Sequence, residues 1–397
     1  MPVSKEQLRG LYWEQKTFRK EPRWSIDPNL DNIKSTLSIR YPTAPIQVES
    51  LTQGAFNKIY QVTVQGQPHP LILRVSLPVD PRYKTLSEIA TIRWLSINTK
   101  IPIPRILDYD SSRDSPIGFE WILMTKINGT CLSDAWPRLD FSIKSDLVRK
   151  FASFSSCLYQ HRFSRIGNIY PASASSTGRI VSMPFFWCDR IHLDMERGPF
   201  RNSQDWLLAR LYLMQTDCTS LLDKYPTGEG LDSDAEDEID DATRTLTIIE
   251  KLRNMIDLVF TTDDSNKNHE EPTILCHTDL GRSNILVDDT GHLTGVVDWE
   301  CLSRHEKPDP SRYSINESGQ ISDLYQEHLL GYELTCLRSL FLEEMERLEP
   351  GWMAVFKACQ MKRDFDLAVE LCDSEIQARN IIQWADTIVS DTLWELY

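Results

Sequence analysis

The stretch HTDLGRSNILVDDTGHLTGVVDWE, residues 277–300, decides how this chain is read. It contains H-x-D-x-x-x-x-N, two short β-like runs joined by a turn, and an Asp closing the second run. Before it, Thr273-Ile274-Leu275-Cys276 is a short apolar run, read as a strand that ends at His277 and leaves Asp279 in a loop. Asn284 stands just ahead of Ile285-Leu286-Val287. Asp288-Asp289-Thr290-Gly291 is a turn cluster, and Leu293 to Val297 reads as the returning strand. Such a hairpin brings Asn284, at its start, close to Asp298, at its end.

These groups, in this order, suit phosphoryl transfer from a nucleotide. One carboxylate must accept a hydroxyl proton, while an amide and a second carboxylate hold a hard cation against the phosphates. The competing reading is an ordinary hairpin with solvated Asp residues at its ends. Hairpins are common, but the whole pattern with a following Asp at hairpin distance is much rarer.

The segment resembles the aminoglycoside phosphotransferase family, within the wider protein-kinase-like fold. The residues that carry the resemblance are His277, Asp279, Asn284, Ile285, Val287, Val297, Asp298 and Trp299. It implies an α+β, bilobal protein-kinase-like fold with a small β-rich N-lobe and a larger, mainly helical C-lobe. It also implies ATP (or GTP) with magnesium (Mg2+) and a small-molecule hydroxyl as acceptor. Asp279 would then be the catalytic base, His277 a brace for its loop, and Asn284 and Asp298 the metal ligands. Trp299 stands where protein kinases carry the Phe of D-F-G, and Glu300 replaces the Gly. That departure favours the small-molecule branch.

The other parts of the resemblance lie upstream. Val48 to Val64 reads as strand, turn, strand, with Gly54 in the turn and Tyr60, Val62 and Val64 along one face of the second strand. G-A-F-N-K-I-Y looks like the family's G-x-x-N-x-x-Y loop, which makes Gly54 and Asn57 candidates to meet the phosphates; an ordinary hairpin turn is the alternative. Leu71-Ile72-Leu73-Arg74-Val75 is an apolar strand broken by one cation. In the kinase pattern this strand is V-A-I-K, so Arg74 stands in the place of the phosphate-contacting Lys. Thr85 to Ser96 is helical by the spacing of Leu86, Ile89, Ile92 and Leu95, and offers Glu88 as partner to Arg74. Ile101 to Leu107, rich in Pro, stops that helix and runs on as extended chain. Phe119 to Thr125 is a buried-strand run broken by Gly129. By the resemblance it is the hinge, with backbone groups of Met124, Thr125, Lys126 and Ile127 reading adenine.

The expected organisation is an N-terminal extension at 1–45, an N-lobe at 46–127 that binds nucleotide, and a C-lobe at 128–397 with the catalytic loop, metal site and acceptor pocket. The extension holds Trp13 and Trp24 and should pack on the small lobe. Helices are expected at Phe141 to Tyr159, at Trp206 to Leu222 and from about Ser322 to Tyr397, after a Pro-containing loop at Lys307 to Pro310. The acidic run Gly228 to Asp241 reads as a solvated, mobile loop.

A chain of 397 residues that is 41% hydrophobic can bury a large core. No apolar run approaches membrane-spanning length, no signal peptide opens MPVSKEQLRG, and the nine Cys are scattered without C-x-x-C. These features point to a cytoplasmic protein with reduced thiols and no membrane partner. A net charge of −15 argues against nucleic acid and is compatible with a cationic small-molecule acceptor. Asp194 and Glu300 are candidates to hold an amine, although each is more often a surface carboxylate.

Two functional classes remain open on these residues. One is an active small-molecule O-phosphotransferase. The other is a kinase-like nucleotide-binding protein with weak or lost turnover, kept alive by Arg74 in the Lys position. A protein kinase is disfavoured by Asp298-Trp299-Glu300 and by the lack of an A-P-E segment after it.

Overall fold

The computed structural model describes residues 3–16, 20–171, 177–225, 233–260, 272–277, 280–298 and 323–395. Its N-terminal part is organised by one sheet. A hairpin of β1 (Leu11–Gln15) and β2 (Lys20–Trp24) is followed by α1 (Leu30–Arg40), then β3 (Ile46–Gln53), β4 (Asn57–Val64) and β5 (Leu71–Ser76). After α2 (Tyr83–Asn98) come β6 (Ile106–Asp110) and β7 (Glu120–Thr125). The sheet order is β3-β4-β5-β7-β6, antiparallel throughout.

Strand alternation gives this sheet two different faces. Tyr60, Val62, Leu73, Val75, Trp121 and Leu123 are buried on one face, against Ile33 and Leu37 of α1. Trp24 lies 5.0 Å from Phe119, ring to ring, so the N-terminal segment does pack on the sheet, as expected. The other face carries Arg74 and Ser76, with Ile122 and Met124 packed beside Ile89 of α2. Helix α2 starts at Tyr83, earlier than its apolar spacing suggests, and is buried on a wider front that includes Thr85, Ser87, Ala90 and Trp94.

The chain then becomes mainly helical. Short β8 (Thr130–Cys131) and α3 (Leu132–Ala135) lead to α4 (Phe141–Tyr159). A two-stranded ribbon of β9 (Asn168–Ile169) and β10 (Thr177–Gly178) precedes the one-turn α5 (Met183–Phe186), followed by α6 (Ser203–Leu222) and α7 (Ser233–Val259). β11 (Ile285–Val287) and β12 (Leu293–Val296) form a hairpin against β8. The chain ends with α8 (Asp323–Leu348), α9 (Trp352–Ala358), α10 (Gln360–Glu370) and α11 (Glu375–Glu395). The result is the α+β arrangement of a β-rich N-terminal region and a helical C-terminal region that the resemblance implies.

Two expectations need correction. Thr273 to Cys276 is not a strand: Thr273 makes a single bridge to Phe163, and the residues after it run irregularly. The acidic run is not a loop from Ser233 onward. Its Ala235 lies on the buried stripe that α7 continues through Ala242, Thr245 and Ile248, and its acids crowd the first turns, where the helix dipole favours carboxylates. Residues 228–232 and the Lys307 to Pro310 loop lie outside the described residues.

Two packed clusters hold the β11–β12 hairpin. Ile285 and Val287 are buried with Trp136, Leu147 and Leu337, and Val296 packs with Trp94, Leu95 and Leu158. Val296 also donates its N–H to the Pro102 carbonyl at 2.9 Å, tying the hairpin to the connector after α2. Lys144 of α4 pairs with Glu333 of α8 at 2.8 Å beneath the ring of Trp136. The ends of the hairpin are thereby held on a packed base, and they carry the polar residues of interest.

Candidate functional site

Asn284 and Asp298 stand at the same end of the hairpin, just before β11 and just past the end of β12. Asn284 closes a short 3₁₀ turn (Arg282–Asn284), and its carbonyl accepts the Val297 N–H at 2.7 Å. Asp298 follows directly, with φ of 38°, a left-handed conformation that Asp tolerates better than most residues. Its side chain is 58% exposed, and the Arg74 guanidinium beside it holds its carboxyl below the usual carboxylate range. It is therefore ionised at neutral pH.

Arg74 reaches both predicted partners. Its Nη1 donates to Glu88 Oε1 at 2.6 Å, and its Nη2 to Asp298 Oδ1 at 3.3 Å. Strand alternation points Arg74 toward α2, and Glu88 lies in the part of α2 that crosses this end of the sheet. One cation thus joins a strand, a helix and the end of a distant hairpin. Both of its terminal nitrogens are engaged by carboxylates, which bears on whether it can also bind phosphate.

Gly54 sits in the β3–β4 turn with open space around it, and its N–H donates to the Asn57 carbonyl at 2.9 Å. Asn57 is buried at the start of β4. Its Oδ1 accepts from Ser76 Oγ at 3.2 Å and from Lys84 Nζ at 2.9 Å. The apolar spacing that marks α2 in the sequence starts only at Leu86, so it does not single out Lys84. Once α2 is known to begin at Tyr83, Lys84 lies one turn before Glu88 on the same side. Burial and the charge of Arg74 push the Lys84 ammonium down to about 8.

The hinge segment divides into two parts. Met124 and Thr125 lie within β7, between β5 and β6, and the Thr125 N–H already donates to the Arg105 carbonyl at 3.0 Å. Lys126 and Ile127 lie beyond the strand. Lys126 Nζ donates to Gln61 Oε1 at 2.6 Å, and the Ile127 side chain covers Gly295 of β12. Of these four residues, Met124 and Thr125 belong to the β5–β7–β6 ladder and Lys126 and Ile127 stand beyond it.

His277 is half-buried, and burial pushes its pKa far down, so the ring is neutral. Asp279, Trp299 and Glu300 lie outside the described residues. Asp194 is exposed.

A second polar cluster flanks the start of α2. Asp80 is fully buried against Arg179 Nη2 at 2.8 Å, and Arg179 also lies over the Tyr83 ring at 4.2 Å. Burial lifts the Asp80 carboxyl to about 6 in spite of Arg179. Phe56, next to Asn57, contacts Phe186 and Trp187, and Trp187 meets Trp13 at 4.9 Å. The segment around α5 therefore holds both the β3–β4 turn and the α2 start. These pairings join distant parts of the chain and leave no local signal.

Among the described residues no three His, Cys, Asp or Glu groups converge. Asn284 and Asp298, at the same hairpin end, are two residues with hard oxygen donors. That suits magnesium, which takes one or two protein oxygens and completes its shell with phosphates and water.

The profile of the phosphotransferase enzyme family matches residues 47–305. A subtelomeric hrmA-associated cluster protein of Aspergillus fumigatus is 27% identical over 198 residues, covering 46% of this chain and 37% of the relative. The Candida glabrata protein named altered inheritance of mitochondria protein 9, mitochondrial, is 22% identical over 311 residues, covering 64% of this chain and 48% of the relative. The chain thus spans less than half the length of either curated relative. Among solved structures, an ethanolamine kinase of Plasmodium vivax is similar at 12% identity with a TM-score of 0.38, covering 99% of this chain and 98% of that one.

Proposed function

This chain belongs to the phosphotransferase enzyme family, and we propose that it moves the γ-phosphate of ATP to a hydroxyl of a small molecule. The observation that carries this reading is the hairpin end at which the Asn284 carbonyl accepts the Val297 N–H and the next residue, Asp298, is ionised beside Arg74.

Asn284 and Asp298 would hold magnesium, which supplies neutralising charge at the β- and γ-phosphate oxygens when bound. Arg74 and Glu88 set the position of the Asp298 carboxylate. The turn at Gly54 covers the phosphates, and Lys126 and Ile127 offer backbone groups to adenine. Asp279 takes the proton of the acceptor hydroxyl as its oxygen attacks the γ-phosphorus, and the bond to the bridging oxygen breaks to release ADP. Neutral His277 braces the loop that carries Asp279. In this reading the chain divides into 1–45, 46–127 and 128–397.

The acceptor we propose is a small amine-bearing alcohol or sugar, on the net charge of −15. Among the described residues no helix is long and apolar enough to cross a membrane. The compartment proposed is the cytoplasm, on the eight free cysteines among the described residues. The mitochondrial name of the yeast relative supplies the alternative, and cell fractionation decides between them.

A second reading is a nucleotide-binding protein of regulatory or scaffold role. It is favoured by Arg74 in the Lys position, with both terminal nitrogens engaged by carboxylates. Purified protein with γ-labelled ATP and magnesium, offered amino alcohols, sugars and aminoglycosides, separates the two. The first reading expects acceptor-dependent label transfer that Asp279→Asn slows by roughly 10²–10⁴. Nucleotide binding with neither transfer nor ATP hydrolysis supports the second.

A further inference from the structure

We infer that Lys84 in the first turn of α2, not Arg74, is the cation that meets the nucleotide phosphates. The inference rests on the reading of this site as a nucleotide site and assigns a role within it.

The first ground is what each cation already touches. Arg74 lies between Glu88 at 2.6 Å and Asp298 at 3.3 Å, so its charge is matched by two carboxylates. A planar guanidinium fork is suited to bridging two such groups. Lys84 has a different partner. Its Nζ donates to the Asn57 amide oxygen at 2.9 Å, a neutral acceptor in place of the carboxylates that Arg74 contacts directly. An ammonium has three donors, and Asn57 takes one of them.

The second ground is position. Asn57 follows directly on the Gly54-Ala55-Phe56 turn, and the bond from the Gly54 N–H to the Asn57 carbonyl closes that turn. Asn57 faces Ser76 across the β4–β5 ladder, and Ile59 faces Arg74. Asn57, Ser76 and Arg74 therefore share one face of the sheet. Lys84 reaches that face from α2, beneath the turn, one helical turn before Glu88. Lys84 is thus joined to the end of the turn through Asn57 and feels the charges of Arg74, Glu88 and Asp298, so it stands between the turn and the carboxylates that Arg74 clamps.

The third ground is electrostatic. Burial and the neighbouring Arg74 lower the Lys84 pKa to about 8, against the pull of Glu88, Asp298 and Glu120. A partly buried cation whose hydrogen-bond acceptor is neutral is stabilised by an incoming anion. Phosphate oxygens supply that charge, and a compact ammonium can approach several of them at once. The strand cation and the helix cation have thus divided the tasks that the kinase pattern gives to one Lys. Arg74 clamps the two carboxylates, and Lys84 is left for the phosphates.

The test measures binding of ATP, ADP and adenosine to the full chain in magnesium, by calorimetry, for the native protein and for Lys84→Met. A phosphate contact predicts that Lys84→Met weakens ATP and ADP by roughly ten- to hundredfold, the range for a charge-assisted hydrogen bond. Adenosine affinity should stay unchanged, which also certifies that the variant is folded. Equal ATP affinity in native protein and variant overturns the inference while leaving the nucleotide site standing. Failure of the native protein to bind ATP overturns the nucleotide site itself, and the Lys84 role with it.

A second measurement needs no variant. Fluorosulfonylbenzoyl adenosine places a sulfonyl fluoride where the outer phosphates would sit. The lysine nitrogen attacks sulfur, the N–S bond forms as the S–F bond breaks, and fluoride and a proton leave. Peptide mapping should find Lys84 modified and ATP should block the reaction. ATP-protected labelling of another lysine, with Lys84 untouched, would contradict the assignment.

Discussion

Arg74 and Asp298 stand 224 positions apart in the chain, and their side chains meet at 3.3 Å. That pairing joins the sheet region to the β11–β12 hairpin and keeps Asp298 ionised. Arg74→Ala removes the shared partner of Glu88 and Asp298 and leaves Glu88, which is only 19% exposed, without its cation. Truncating one partner of such a pair costs about 3 kcal/mol when both are buried, and less here because Asp298 is open to solvent. Urea unfolding should show a loss of roughly 1–2 kcal/mol, with Arg74→Lys milder. A fully stable Arg74→Ala would mean that the bridge holds nothing together.

Asp279→Asn should leave nucleotide affinity nearly intact and lower turnover by roughly 10²–10⁴, the range for a positioned general base. Steady-state kinetics on an identified acceptor checks this. Full turnover in the variant removes Asp279 from the chemistry.

Asp80 gives the fold a pH dependence. Its carboxyl is raised from 3.8 to about 6 by burial, so the folded protein holds this proton more tightly than the unfolded chain does. The stability from this group is complete below 3.8 and is lost as pH rises through about 6. Asp80→Asn cannot titrate. The Tm advantage of the native protein over the variant should therefore shrink as pH rises across that window. A difference that stays constant across it would refute the assignment.

Gly129 sits where the chain passes from β7 to β8, with φ of 143°. A Cβ there would lie 2.5 Å from Thr294 Oγ1 and 2.8 Å from the Val287 carbonyl. Neither the forbidden backbone angle nor the fixed carbonyl can yield easily. Gly129→Ala should cost about 2 kcal/mol or more in urea unfolding. A loss below about 0.5 kcal/mol would show that this junction relaxes freely.

What was legible in the sequence follows from how far apart the partners lie. Asn284 and Asp298 were readable because a turn cluster between two apolar runs announces a hairpin. Arg74 and Glu88 were readable because strand and helix periods each point one side chain toward the other. Lys84 was missed because α2 begins ahead of its apolar stripe. Asp80 with Arg179, and Phe56 with Phe186, are long-range pairings that no local pattern announces. The acidic residues after Ser233 were misread because their charge hid the apolar positions on which α7 packs.

The central claim, a magnesium-assisted nucleotide site closed by Asp298, is tested most directly by titrating ATP into the native protein and into Asp298→Ala, with and without magnesium. The site described here predicts tight binding only for the native protein in magnesium, and a weakened, magnesium-independent affinity for the variant. Equal ATP affinity in all four titrations would contradict it.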